Sequence, residues 1–231
     1  MLLAADATTE RVAIPWLHVI REHPVFLANY EDLFQTRMGV KASVRRSSRA
    51  LLSRARWFRQ IGKAFGSDGQ PWFGQYDPPQ EIDVLFVSHL LNASHAGQAE
   101  DFYFGGWPNE LMAQGRSVMI ALINHSGLPG AALVHKWKES EVPRILFSKS
   151  FGIQEEIALH RRMSEESLRL GAIAKQETAG LLRMVLARAS QEALSEGSRT
   201  TLRLFRQIGV LVARVKPRVM VITHEGHAWK G

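Results

Sequence analysis

Four short apolar runs organise the second part of the chain. Ile82–Ser88 (IDVLFVS) is nearly continuous in apolar residues, without the alternation of a half-exposed strand. That pattern predicts a strand buried on both faces, as in a parallel sheet. Ser117–Ile123 (SVMIALI) repeats it, Arg144–Phe147 is a shorter version, and Arg218–Thr223 (RVMVIT) is the last. Between the first two runs the residues from Gln98 to Gln114 suggest a helix, interrupted at Gly105-Gly106-Trp107-Pro108 and closed by Gly115. Glycine just past a helix end accepts the left-handed backbone found there. From Gln154 to Gly197 the pattern is strongly helical, with Gly171 and Gly180 as candidate breaks. Ser198 is then the expected cap of a further helix reaching about Val215, ended by Lys216-Pro217.

The earlier part of the chain reads differently. Residues 12–65 look mainly helical, with Pro15 and Pro24 suited to helix starts. Residues 66–79 then crowd together Gly66, Gly69, Pro71, Gly74, Pro78 and Pro79, a loop signature. The expected organisation is a helical arm over 1–66, a linker over 67–80 and one α/β domain over 81–231. The alternation of strand and helix predicts a Rossmann-like fold, an open and mostly parallel sheet with flanking helices.

Charge sharpens this division. The net charge is +7, yet nine basic residues and no acidic one lie between Arg37 and Lys63, so the remainder sums to −2. The segment is an amphipathic cationic helix with Leu51, Leu52, Ala55, Phe58 and Ile61 on one side. A solvated face is its plain reading. The functional reading is contact between Arg45, Arg46, Arg49, Arg54, Arg56 and Arg59 and the phosphates of an anionic membrane surface. Nucleic acid is not expected as a partner, because no DNA-reading motif accompanies the patch. The absence of cysteine excludes disulfides, thiolate chemistry and cysteine zinc sites, and fits a reducing compartment. No run reaches the ~18 apolar residues of a membrane span, and the first residues, MLLAADATTERVAIPW, do not resemble a secretory signal. The expected location is the cytoplasm, with the arm peripheral to the inner face of the membrane.

Candidate chemistry gathers where strands end. The loop after the first strand carries His89, Asn92, His95, Gly97 and Gln98, a small polar turn that lets backbone amides approach a ligand. It contains neither a dinucleotide fingerprint nor a P-loop. Asp101 is expected just inside the following helix, where the macrodipole favours a carboxylate. His125 follows the second strand, placed to meet a substrate or to cap the next turn. His224-Glu225-Gly226-His227 follows the last strand, and its histidine spacing does not match the helical zinc motif. Glu225 is instead a general-base or ligand candidate, since a carboxylate within hydrogen-bond reach can deprotonate a hydroxyl.

The run Asp83–Asn124 resembles the opening of GT-B glycosyltransferases: a strand, a glycine-containing loop, a helix ending in L-x-x-x-G and a second strand. The run KPRVMVITHEGHAW (Lys216–Trp229) resembles a later helix–strand step of the same half, in enzymes of bacterial surface-polysaccharide biosynthesis. Together the similarity spans Glu81–Trp229, about two-thirds of the chain. It implies the acceptor-binding half of an enzyme that moves a sugar from a nucleotide-sugar donor to a saccharide or lipid-linked acceptor. No tightly bound cofactor is implied. Glu225 and Asp101 become catalytic candidates, and His89, Asn92, His95, Gly97, Gln98, His125 and His227 substrate-binding ones. The donor half is then expected from a second chain or a missing C-terminal domain, without which transfer should be weak or absent. The alternative is a non-catalytic Rossmann-like module whose basic arm binds nucleic acid, membrane or protein. A small self-contained α/β enzyme ranks last, because no GxSxG, P-loop or metal signature supports it.

Overall fold

The computed structural model describes residues 69–137, 142–150, 152–177 and 181–223, together with Phe58 and Gly62. Apart from Phe58 and Gly62, the predicted helical arm with its arginines Arg45, Arg46, Arg49, Arg54, Arg56 and Arg59 lies outside the described residues, as do the tail residues Glu225 and His227.

The described residues carry a five-stranded, mostly parallel sheet with accompanying helices, the α/β Rossmann-like class predicted from the apolar runs. The strands are β1 (Trp72–Gly74), β2 (Val84–Leu90), β3 (Val118–Asn124), β4 (Arg144–Phe147) and β5 (Val219–Ile222). Their spatial order is β1-β4-β3-β2-β5. The parallel pairs put Val84 beside Val118 and Val219, and Ile120 beside Arg144. Only β1 is antiparallel, matching Trp72 with Phe147 at the edge. The helices among the described residues are α1 (Trp107–Ala113), α2 (Gly130–Val134), α3 (Ile153–Gln176), α4 (Leu181–Glu192) and α5 (Glu196–Val215), with a 3-10 turn at His95–Gly97.

The chain divides into two compact units. One comprises Gly69–Phe151 and Leu204–Glu225 and holds the sheet; the other includes Gly152–Arg203. In the sheet unit, Phe86, Ile120, Leu122 and Leu146 form a core with Leu133, Val134 and Trp137. Alternate residues Leu85, Val87, Met119, Ala121 and Ile145 are buried as well, so both faces of the central strands are covered. Each fully buried large side chain contributes about 1.5–3 kcal/mol, which is why continuous apolar runs and not alternating ones make these strands. The sheet unit's share of α5 buries Leu204, Ile208, Leu211 and Val215 at helical spacing. Gln207, on the same helix, donates its amide to Pro71 O at 2.8 Å and to Ser148 O at 3.0 Å.

The helical unit packs α3 against α4 closely. Ser167 Oγ donates to Ser190 O, and Ser190 Oγ donates to Ser167 O, both at 2.7 Å. A Cβ on Gly171 would meet Ser190 Oγ at 3.1 Å, so this glycine serves close helix approach. The break anticipated there does not occur, because α3 runs through it to Gln176; Gly180 lies outside the described residues. Ser195, not Ser198, caps α5: its Oγ accepts from Ser198 N at 3.1 Å. Ser198 Oγ donates instead to Glu192 O at 2.8 Å, joining the end of α4 to the start of α5. Lys216, with φ of 40°, ends α5 ahead of Pro217.

A buried ion pair locks α3 to α5 within this unit. Arg203 Nε and Nη2 donate to the two carboxylate oxygens of Glu156 at 2.7 and 3.1 Å, with side chains 6% and 1% exposed. Removing one partner of such a pair leaves a buried charge, at a cost of about 3–5 kcal/mol, whereas a matched apolar pair is near neutral. Urea denaturation should therefore show Glu156→Ala losing about that amount, and Glu156→Leu with Arg203→Met recovering most of it.

Burial, and then the Arg199 guanidinium, hold the His160 imidazole below its ordinary value of 6.5. The folded state thus prefers the neutral ring, and near pH 6.5 the unfolded chain binds more protons. By linkage, stability is full above that value and falls as pH drops through it toward the lowered folded value. His160→Gln should flatten this part of a denaturation-midpoint-versus-pH curve.

Candidate functional site

The sheet fixes where a ligand would be met. From β2 the chain steps to β3 and β4 on one side, then returns as β5 on the other side of β2. That reversal places a topological switch point at the carboxyl end of β2, where ligands bind in open α/β sheets. Ser88, His89 and Leu90 close β2, opposite Leu122, Ile123 and Asn124 of β3.

His89 is buried and His125 exposed, and they meet at this edge. His89 Nδ1 and His125 Nε2 are 2.9 Å apart, with rings stacked at a centroid distance of 5.1 Å. One nitrogen must donate and the other accept, so the pair holds together only while at least one ring is neutral. The backbone sets this up: His125 N donates to Leu90 O at 2.9 Å, continuing the β2–β3 ladder by one residue.

The following loop is built by side chain–backbone bonds. Asn92 Oδ1 accepts from Ser94 N at 2.9 Å and His95 N at 3.3 Å, and also from Ser94 Oγ; Asn92 Nδ2 meets His95 Nε2 at 3.1 Å. His95 stacks on Phe102, centroids 4.6 Å apart. Gly97 closes the 3-10 turn, and Gln98 is exposed, its carbonyl accepting from Arg144 Nη1 at 2.8 Å. Arg144 Nη2 takes Ala99 O as well. These two bonds pin the loop to β4.

Asp101 is not inside a helix as the sequence suggested. Its Oδ1 accepts from Ser88 Oγ at 2.8 Å, Tyr103 N at 2.9 Å and Phe104 N at 3.0 Å. A short acidic side chain that captures the next amides competes with helix formation. Asp101 also bridges to Gly105, whose φ is 56°, and a helix starts only at Trp107 with Pro108 in its first turn. The carboxylate is 7% exposed, the position of a loop organiser. Burial pushes the Arg144 guanidinium below its ordinary range, and the nearby Asp101 charge opposes that shift.

The organised turn displays aromatics. Phe104 packs on Phe86 at 4.9 Å and Trp107 does so at 5.5 Å. Phe102 and Tyr103 stay exposed, at 53% and 39%, with Tyr103 lying 5.6 Å from the His89 ring. Of the predicted residues, the structure joins His89 to His125 and Asn92 to His95, and sets the second pair next to Phe102. Ser88, Phe102, Tyr103 and Arg144 were missed. The Phe102-Tyr103-Phe104 triplet and an arginine opening an apolar strand were the available signals.

Among the described residues no three histidine, aspartate or glutamate side chains gather to hold a metal ion, and no helix is long and apolar enough to cross a membrane. No protein-family model, curated protein or solved structure matches the chain.

Asp101→Ala strips an acceptor from two amides and a hydroxyl. It should lower stability by about 1–3 kcal/mol and collapse the near-UV dichroism of the neighbouring aromatics. Asp101→Asn keeps an Oδ1 acceptor and should preserve that dichroism. Equal spectra for both variants would remove the carboxamide-type cap from the explanation.

Proposed function

We propose that the carboxyl edge of β2 and β3 binds a saccharide acceptor, and that the chain is the acceptor half of a glycosyltransferase using a nucleotide-sugar donor. The observation that carries this reading is the buried His89 in contact with both the exposed His125 and the exposed ring of Tyr103, itself packed on Phe102. A pyranose offers an apolar face to stack on an aromatic ring and a fringe of hydroxyls for polar partners. An imidazole ionises near neutral pH and suits removal of a hydroxyl proton.

In the reaction, the acceptor oxygen bonds to the donor's anomeric carbon while that carbon's bond to the phosphate oxygen breaks. The acceptor proton passes to His125, and the nucleotide leaves with the bonding electrons. A positioned base of this kind typically supplies about 10²–10⁴ in rate. Asn92, His95, Gly97 and Gln98 shape the loop around the acceptor, and Asp101 holds that loop in place. Glu225 and His227 follow β5 in the chain and are proposed to face the same acceptor.

The test is a titration of the isotopically labelled chain with a panel of methyl glycosides and oligosaccharides, read by amide chemical shifts. Saturable shifts should concentrate at 88–104 and 124–128. Tyr103→Ala and Phe102→Ala should each weaken binding up to about tenfold, equivalent to ~1.4 kcal/mol. His125→Gln should leave saccharide binding within a factor of two or so, yet abolish transfer once a donor half is supplied. A folded sample that shifts with no saccharide, or that instead binds nucleic acid with steep salt dependence, would overturn the reading.

A further inference from the structure

Two residues that line one cavity of the sheet unit each carry a buried N–H donor without a hydrogen-bond partner. The donors are Trp137 Nε1 and Arg144 Nε, on residues only 2% and 7% exposed. The cavity is about 60 Å³ and lies at the amino ends of β3 and β4, away from the carboxyl edge that holds His89 and His125. Its walls are otherwise largely apolar, including Met119, Val142 and Pro143, and Tyr76 and Asp77 stand at its exposed rim.

An orphaned buried donor costs about 1–3 kcal/mol, and more when charged. Native structures keep few such groups, and each calls for an explanation, a bound ligand being one. Arg144 Nη1 and Nη2 are already committed to Gln98 O and Ala99 O, leaving Nε for a ligand. The charge is poorly compensated too: burial outweighs the Asp101 carboxylate in its effect on the guanidinium. One neutral donor and one cationic donor call for an acceptor that brings no donors of its own. A carboxylate fits, with one oxygen for each and a charge opposite to the guanidinium. An alcohol or amide would bring a further buried donor. The space exceeds the ~10–15 Å³ that one water needs, and the walls suit a short hydrocarbon body.

We infer that this cavity binds a small organic acid, its carboxylate accepting from Trp137 Nε1–H and Arg144 Nε–H. Because Arg144 also clamps the carbonyls at 98 and 99, the occupant sits one guanidinium away from the loop carrying Asp101 and Tyr103. The site is independent of the saccharide reading.

Acetate and propionate, titrated into the labelled full chain, provide the test, followed through indole and arginine Nε–H resonances. One of the six indole signals should move saturably, together with one arginine Nε–H, while equal chloride moves neither. Trp137→Phe keeps an aromatic ring in the core, so the fold should persist. It should delete that indole signal and weaken acid binding several-fold as read from the arginine resonance. Shifts that stay linear, that chloride reproduces, or that survive unchanged in Trp137→Phe would overturn the inference and leave the cavity to water.

Discussion

Everything at the carboxyl edge hangs from the two-sided pairing of β2. This strand is hydrogen-bonded to β3 along its full length and to β5 over its first half. Its buried side chains fix its register, since a one-residue shift would move every one of them to the opposite face. Its last three residues, bonded to β3 alone, keep that register. That is why Ser88 and His89 can act as fixed points for Asp101 and His125, groups brought from 13 and 36 residues further along the chain.

Apart from the 3-10 turn at His95–Gly97 and the bridge between Asp101 and Gly105, the loop beyond β2 has no regular structure, and its order comes from two charged residues. Asp101 gathers donors, Arg144 gathers carbonyls, and together they close the segment 98–104 from both sides. The arrangement is physically economical. Each ion bonds two backbone groups of the loop, and the Asp101 charge opposes the desolvation of Arg144. The consequence is a turn stiff enough to hold Phe102 and Tyr103 outward, where apolar rings would otherwise fold under.

Three of the four parallel strands were legible because burial on both faces demands continuous apolar runs, and few other structures produce them; β5 has the same kind of run but is not buried as predicted, since it lies at the sheet edge with Val219 and Met220 exposed. Their ends slipped by a residue or two: β2 begins at Val84, not Ile82, since Ile82 and Asp83 bond to Val215 and Ser117 before the ladder starts. The stretch from 98 to 106 was misread as helix because its composition permits one, whereas Asp101 decides locally for a turn. β1 was hidden inside the predicted linker, where three residues flanked by glycine and proline give no periodicity to detect. At the site, His89 and His125 were visible as polar residues ending strands. Their contact was not, because it depends on the β2–β3 register, which no local pattern encodes. Arg144 was invisible as a functional group for a related reason. Its partners are backbone carbonyls, which leave no mark in the sequence.

The histidine pair also constrains how a base could work there. For His125 to accept a proton at Nδ1, that atom must carry the lone pair, so the neutral ring's proton sits on Nε2. Nε2–H then donates to His89 Nδ1, and His89 must carry its own proton on Nε2. In the opposite tautomer His89 donates, the Nδ1 of a neutral His125 is protonated, and the base is switched off. When His125 takes up a proton, its bond to His89 becomes charge-assisted and strengthens. In the proposed reaction His89 would do by dipole what a carboxylate does by charge in the familiar triads, orienting the ring and stabilising the imidazolium. A second proton on the pair would leave no lone pair between the rings, and the contact that positions His125 would break.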